Sequence, residues 1–242
     1  MKILAIDSSG IVASAAIMED DVMIAEYTLN HKITHSQTLM ILIDEIIKMS
    51  ETDKKSLDAI AVAGGPGSFT GLRIGSGTAK GMALVFNIPV VSIPTVDALA
   101  YNLFGSEKVI CPLMDARRNQ VYTGLYSFSG ASMEIIKEQN VESVLDIIDR
   151  INEIGQGVIF LGDGVVPYKN EIENNIKVDY SFAPPHLSRQ RAGAVAALAM
   201  LTLNNGTYKN GKKQDAKDHV PDYLRLSQAE RERLEKINAS QN

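Results

Sequence analysis

The residues between Lys2 and Asp7 in KILAID form an unbroken apolar run, which reads as a buried strand. SSG follows as a turn, VASAAIM as a second strand, EDD as another turn and VMIAEYTL as a third strand, together an antiparallel meander. From His35 the period changes. In HSQTLMILIDEIIKM, Leu39, Ile43, Ile46 and Ile47 recur at helical spacing behind Thr34 as an N-cap. The strand DAIAVAG, a glycine-rich stretch, a helix over Thr70 to Phe86, the strand PVVSI and the helix TVDALAYNLF, capped by Thr95, complete the order βββαβαβα.

A second meander begins at VICPLMDARRNQVYTGLYSF. Its strand, Asp115-led turn and strand echo the strand, Asp7-led turn and strand of the N-terminus. ESVLDIIDRINE then reads as a helix, GVIFLGDG as a strand and RAGAVAALAMLTLNNG as a helix closed by glycine. Two α/β halves are predicted, residues 1–105 and 106–205. Residues 206–242 follow as a polar connection, mobile over Gly206 to Asp218, and a surface helix in LSQAERERLEKINASQN.

A chain of 242 residues can build two lobes with separate cores. Its net charge of −5 disfavours a broad nucleic-acid surface, so RNA would be reached through a local patch or a partner. The single Cys111 can form neither an internal disulfide nor a cysteine zinc cluster, and reads as a small buried apolar residue in a reducing compartment. MKILAID has no signal-peptide pattern, and the apolar run Ala192 to Leu203 is shorter than the roughly 20 residues of a membrane span. A cytoplasmic protein without a membrane segment is expected.

The stretch GGPGSFTGLRIG, Gly64 to Gly75, has the look of a phosphate cradle. A Walker loop needs lysine after its closing glycine, where this chain has Leu72, and the dinucleotide fingerprint needs a third glycine where it has Thr70. What remains is generic anion capture at a helix start, against the simpler reading of a Pro66-Gly67 turn, a Ser68 or Thr70 cap and glycines that permit close approach. The simpler reading prevails, because most strand-to-helix turns of this composition carry no ligand.

Within the helix, Gly71, Gly75 and Ala79 fall four apart, and Ser76, Gly77, Lys80 and Gly81 keep another side thin. Each interior glycine costs about 0.5–1 kcal/mol relative to alanine, so close packing must compensate. In the preceding helix, the apolar positions from Leu39 to Ile47 cover more circumference than one sheet-facing stripe needs. The expected protein interface is Leu39, Leu42, Ile43 and Ile46 together with Gly71, Leu72, Gly75 and Ala79.

ILAIDSS, GGPGSFTGLRIG, IPVVSIPTVDALA and LMDARRNQVY, in this order, resemble the bacterial TsaB family, with GPGSFTGLRIG the most specific of them. The resemblance implies an α/β, two-lobed actin, Hsp70 and sugar-kinase fold, a ribonuclease H-like unit duplicated, with nucleotide between the lobes. It implies a noncatalytic partner of TsaD in making N6-threonylcarbamoyladenosine at position 37 of tRNA. TsaD is the heterodimer partner and TsaE a further one, a homodimer forms when the chain is alone, and tRNA is met only through the complex. The family's catalytic paralogue carries a metal-binding histidine pair where this chain aligns Thr95 and Leu99, so no metal is expected. No cofactor of its own is implied, ATP or ADP being left to the complex.

The fold's second phosphate loop is Asp followed by glycines; here Asp115 is followed by Ala116, Arg117, Arg118 and Asn119, which crowd the approach of phosphate. Asp7, Ser8 and Ser9 keep the first loop's chemistry and are the candidates for residual nucleotide contact, although Asp7 and Ser8 also suit the satisfaction of turn amides. The alternative function is a self-sufficient ATPase or kinase of the same fold. His31 and His35 read as surface residues rather than a metal pair, and Arg117 and Arg118 suit phosphate or acidic partners equally. Ser8, Ser68 and Asp163 lack the surroundings of a hydrolase, and Lys209, Lys212 and Lys213 read as solvated.

Overall fold

The computed structural model describes residues 1–31, 34–204 and 206–225. Strands β1 (Lys2–Asp7), β2 (Ala13–Glu19) and β3 (Val22–Leu29) form the antiparallel meander. They are followed by α1 (His35–Met49), β4 (Ala59–Gly65), α2 (Phe69–Phe86), β5 (Val90–Pro94) and α3 (Thr95–Tyr101). The second half runs β6 (Val109–Asp115), β7 (Gln120–Ser129), β8 (Ser132–Ser143), α4 (Val144–Ile154), β9 (Val158–Leu161), α5 (Lys169–Asn175), β10 (Tyr180–Phe182) and α6 (Ala192–Asn204). A last strand, β11 (Lys212–Gln214), returns to the first half.

One sheet has the order β11-β5-β4-β1-β2-β3 and the other β10-β9-β6-β7-β8. Read from the third strand of each meander, both run third, second, first, then two parallel strands, so the unit is duplicated. This is the two-lobed α/β architecture expected from the order of elements.

The first sheet is covered on both faces, which is why its central strands are apolar without alternation. Leu4, Ile6, Ile17, Ile60 and Val62 face α1 and α2. Ala5, Ala16, Ala59, Ala61 and Ala63 face α6, itself rich in alanine. Small residues on both sides let a helix lie close to the pleat. The second sheet packs Cys111, Leu113, Val121, Leu125 and Phe160 against α4. Burial pushes the Cys111 thiol up to about 12, as befits the inert core residue expected.

The division at residue 205 needs correction. Helix α6 packs on the first sheet, not the second, because its start is anchored there. Glu26 of β3 accepts from the Gly193 amide at 2.9 Å and pairs with the Arg191 guanidinium, and Ser14 Oγ accepts from the Ala192 amide at 3.0 Å. A carboxylate at a helix N-terminus is favourable for the dipole as well as for the orphan amides.

The mobile connection expected over Gly206 to Asp218 is instead an ordered return. Lys212, Lys213 and Gln214 pair antiparallel with Ser92, Val91 and Val90, and Tyr208 is buried. Polar composition misled here because the segment is held by backbone pairing at a sheet edge. Lys80 of α2 donates to the carbonyls of Lys217 (3.0 Å) and His219 (2.9 Å). The surface helix expected in 226–242 lies outside the described residues.

His219 is buried and its Nδ1 meets Gln214 Oε1 at 3.1 Å. Burial first, then the Lys80 charge, lowers its pKa to about 4. A histidine with a lowered folded pKa is held neutral by the fold, so stability falls as pH drops from about 6.5 towards 4, by on the order of 2–3 kcal/mol. Asp7, whose folded pKa is raised, moves stability the opposite way, so the effect is isolated by difference. Urea unfolding at pH 7 and pH 4 should show a larger acid loss in the wild type than in His219→Gln; equal losses in both would contradict the assignment.

Candidate docking face and interlobe cleft

The glycine-rich stretch joins β4 to α2, and its glycines are demanded by this chain's own backbone. A Cβ on Gly71 would collide with the Ser8 carbonyl oxygen, and one on Gly75 with the Ser8 hydroxyl. Ser8 Oγ in turn donates to the Gly71 carbonyl at 2.9 Å, and the Ser68 amide donates to the Ser9 carbonyl at 2.7 Å. The start of α2 is thereby pressed against the turn between β1 and β2. Ser68 is the N-cap, its hydroxyl accepting from the Gly71 amide. The stretch is a close-packing device, as its composition indicated, but the surface it packs on belongs to the same chain.

The expected interface residues are therefore corrected. Leu39, Ile43, Ile46 and Ala79 are buried in the core beneath α1 and α2, Leu42 packs partly against it, Leu72 is buried at the wall of the interlobe cleft, and Gly71 and Gly75 face Ser8. The helical period was right and the face was wrong: the residues that complete a core stripe are those the sheet takes first.

The outer surface of the same two helices carries a second apolar set. Ile41 is 67% exposed and Val85 is 78% exposed, and Met40, Met49 and Leu84 are exposed with them. Nothing lies within 4 Å of where a Cβ would sit on Gly77 or Gly81, so the outer side of α2 is thin as well as apolar. Asp44, Glu45 and Lys48 of α1 lie exposed among these positions. A signal for this face was present in the sequence, since Ile41 shares a helical face with Asp44, Glu45 and Lys48.

Between the lobes lies a cleft of about 640 Å³, lined from one side by Ser9, Ser68 and Thr70 and from the other by Asp115, Arg117 and Asp163. Asp7 lies buried behind it and accepts from the Ser9 amide at 2.9 Å and the Ser9 hydroxyl at 2.6 Å, the turn-satisfying role foreseen for it. Burial raises its pKa to about 6 against the lowering effect of those two bonds. Asp115 accepts from the Arg117 amide at 2.7 Å and from the Tyr168 hydroxyl at 3.3 Å. Arg117, Arg118 and Asn119 all have positive φ, of 63°, 55° and 58°. A run of three such residues costs roughly 1–2 kcal/mol at each non-glycine position, and it turns Arg117 into the cleft.

Thr95 and Leu99, the two positions that the resemblance sets against a metal-binding histidine pair, are built into the core. Thr95 and Leu99 are buried, and Thr95 Oγ1 accepts from the Gly65 amide at 3.1 Å. Their neighbour Asp97 accepts from the Tyr126 hydroxyl of β7 at 2.7 Å, from the Tyr208 hydroxyl and from Asn210 Nδ2 at 3.2 Å. Burial raises the Asp97 pKa, and the three donors oppose that shift. One buried carboxylate therefore ties α3 to the second lobe and to the return segment.

His31 is exposed, whereas His35 Nε2 meets the Gly10 carbonyl at 2.7 Å, so the pair shares no site. Among the described residues no cluster of three metal-ligating side chains occurs. Lys209, Lys212 and Lys213 are exposed on the return segment. No described helix is long and apolar enough to cross a membrane.

A family model described as TsaD, tRNA N6-adenosine threonylcarbamoyltransferase, matches residues 23–233. The tRNA threonylcarbamoyladenosine biosynthesis protein TsaB of Bacillus subtilis (strain 168) is 34% identical over 239 residues, covering 97% of this chain and 99% of that protein. TsaB of Buchnera aphidicola subsp. Schizaphis graminum is 30% identical over 182 residues, covering 73% and 84%. Among solved structures, a Pseudomonas aeruginosa protein described as similar to peptidase YEAZ superposes with a TM-score of 0.78 at 23% identity, covering 93% of this chain and 99% of that one. YeaZ from Pseudomonas aeruginosa does so at 0.73 and 22%, covering 92% and 99%. These two share the fold. By the family match and by identity along nearly its whole length, the chain belongs to the TsaD family and, within it, to the TsaB proteins.

Proposed function

We propose that this chain serves in making N6-threonylcarbamoyladenosine on tRNA as the noncatalytic partner of a TsaD-type transferase, which it docks through the outer face of α1 and α2. The observation that carries the reading is the exposed apolar set Met40, Ile41, Met49, Leu84 and Val85 beside the open positions at Gly77 and Gly81. Covering such side chains contributes about 1.5–3 kcal/mol each, and thin positions on α2 allow a partner helix to approach closely. The burial of Thr95 and Leu99 supports a noncatalytic role, because the positions that would present metal ligands are occupied by core packing. Alone, the chain dimerises through the same face. In the cytoplasm it joins TsaD and TsaE, tRNA is met through that complex, and ATP or ADP is held there rather than by this chain by itself.

Reconstitution tests this. With TsaD-type transferase, TsaE, threonylcarbamoyl-AMP, ATP and tRNA present, omission of this chain should abolish tRNA modification, and the chain alone should give none. Full modification without it would sink the reading. The cleft favours one other reading, a self-sufficient ATPase or kinase; ATP turnover by the isolated chain, lost in Asp7→Ala, would establish it.

A further inference from the structure

The last described residues, Pro221–Arg225, cross the interlobe cleft. Their first bond is to the first lobe: the Asp222 amide donates to the Gly64 carbonyl at 2.7 Å, at the end of β4. The Asp222 carbonyl then occupies the space a Cβ on Gly65 would need, and Gly65, at φ 120°, has a conformation that favours glycine in any case. The Tyr223 ring packs on Phe69, the first residue of α2, with ring centres 5.0 Å apart, and Arg73 lies over Phe69 at 4.2 Å. From there the chain passes to the second lobe. Leu224 packs against the cluster containing Met114, Ala116 and Tyr122, and the Arg225 guanidinium donates to the Ala116 carbonyl.

Elsewhere the lobes are joined around α3. Asp97 bonds Tyr126, and Gln139 of β8 accepts from the Val96 amide at 3.3 Å while donating to the Gly65 carbonyl at 3.2 Å. The chain also crosses back to the first lobe between β10 and α6, and Asn210 Nδ2 donates to Glu138 at 3.1 Å. Lobes joined at such a hinge can still change their angle, and a further connection across the cleft between them removes that freedom.

We propose that Pro221–Arg225 is an intramolecular brace that fixes the opening of the interlobe cleft, so that the chain's own backbone sets the lobe angle without any bound molecule. PDYLR follows the return segment, after the chain has been anchored to the first lobe through β11, Lys80 and His219. The four residues after Pro221 thus begin from a fixed point and end on the opposite lobe.

Two measurements test this. In hydrogen exchange on the unaltered chain, the Asp222 amide should show a protection factor of at least about 10³, as a permanently closed bond does. Exchange at the unprotected rate would overturn the proposal. Spin labels at Lys55→Cys in the first lobe and Asp149→Cys in the second, both exposed sites with Cys111 buried, should give one narrow distance distribution. Adding Tyr223→Ala and Arg225→Ala should broaden it by several ångströms. A folded quadruple variant with an unchanged distribution would also overturn the proposal, and the exchange measurement needs no variant, so it decides even where this one unfolds.

Discussion

Gly71→Leu should lower the stability of the chain by about 3 kcal/mol or more and Gly75→Leu by about 1–3 kcal/mol, whereas Gly77→Leu on the same helix should cost little. The difference follows from what stands opposite each glycine. At Gly71 the obstacle is the Ser8 backbone carbonyl, which cannot move without disturbing the β1–β2 turn, and at Gly75 it is the Ser8 hydroxyl with Val62 behind it. Overpacking of this kind costs roughly 1–3 kcal/mol and more when backbone must shift, a large part of the 5–15 kcal/mol that holds an ordinary domain together. At Gly77 there is open space. Gly77→Ala should therefore raise stability by about 0.5–1 kcal/mol through helix propensity alone. Circular dichroism and urea unfolding of the variants would check this; a well-folded Gly71→Leu chain of undiminished stability would mean that the Ser8 contact is not what the glycine serves.

The contrast between these glycines also explains what could be read from the sequence. The duplicated order of strands and helices was legible because KILAID, DAIAVAG and VICPLM are short apolar runs without alternation bounded by turn residues, the pattern of strands covered on both faces. Helices α1 and α2 were legible from their period. Which side of each meets the sheet was not legible from period alone, since both carry more apolar or small positions than one stripe needs; for α1 the charges of Asp44, Glu45 and Lys48 mark the outer side. Leu39, Ile43 and Ile46 were consequently placed outward although the sheet buries them.

The return of α6 and β11 to the first lobe was hidden for a different reason. It depends on Glu26 and Ser14 meeting the α6 start some 165 to 178 residues away along the chain, a long-range pairing that no local pattern encodes. The brace formed by Asp222, Tyr223 and Arg225 was missed likewise, because PDYLR has the composition of an ordinary loop. Asp7 was better read: its flanking Ser8 and Ser9 are the turn-forming companions that indicated a carboxylate satisfied by local amides, and Ser9 does satisfy it.

The second large effect concerns the outer face of α1 and α2. Ile41→Glu with Val85→Glu places two carboxylates at the most exposed apolar positions of that face and touches nothing in the core, so at a concentration low enough to keep both chains monomeric the variant should keep the wild-type unfolding midpoint. In a docked complex the same carboxylates would be desolvated without partners, at roughly 1–3 kcal/mol or more each, in addition to the apolar contact that is lost. A loss of about 3–5 kcal/mol corresponds to a Kd raised by a factor of roughly 10² to 4 × 10³. On the proposed reading, in which one face serves both partners, self-association of the chain should fall in parallel.

Calorimetric titration of a TsaD-type transferase with the wild-type chain and with the folded Ile41→Glu/Val85→Glu variant therefore bears most closely on the docking assignment. The expected result is tight binding by the wild type and at least an about 100-fold weaker Kd for the variant. Binding of equal affinity by the two would contradict it.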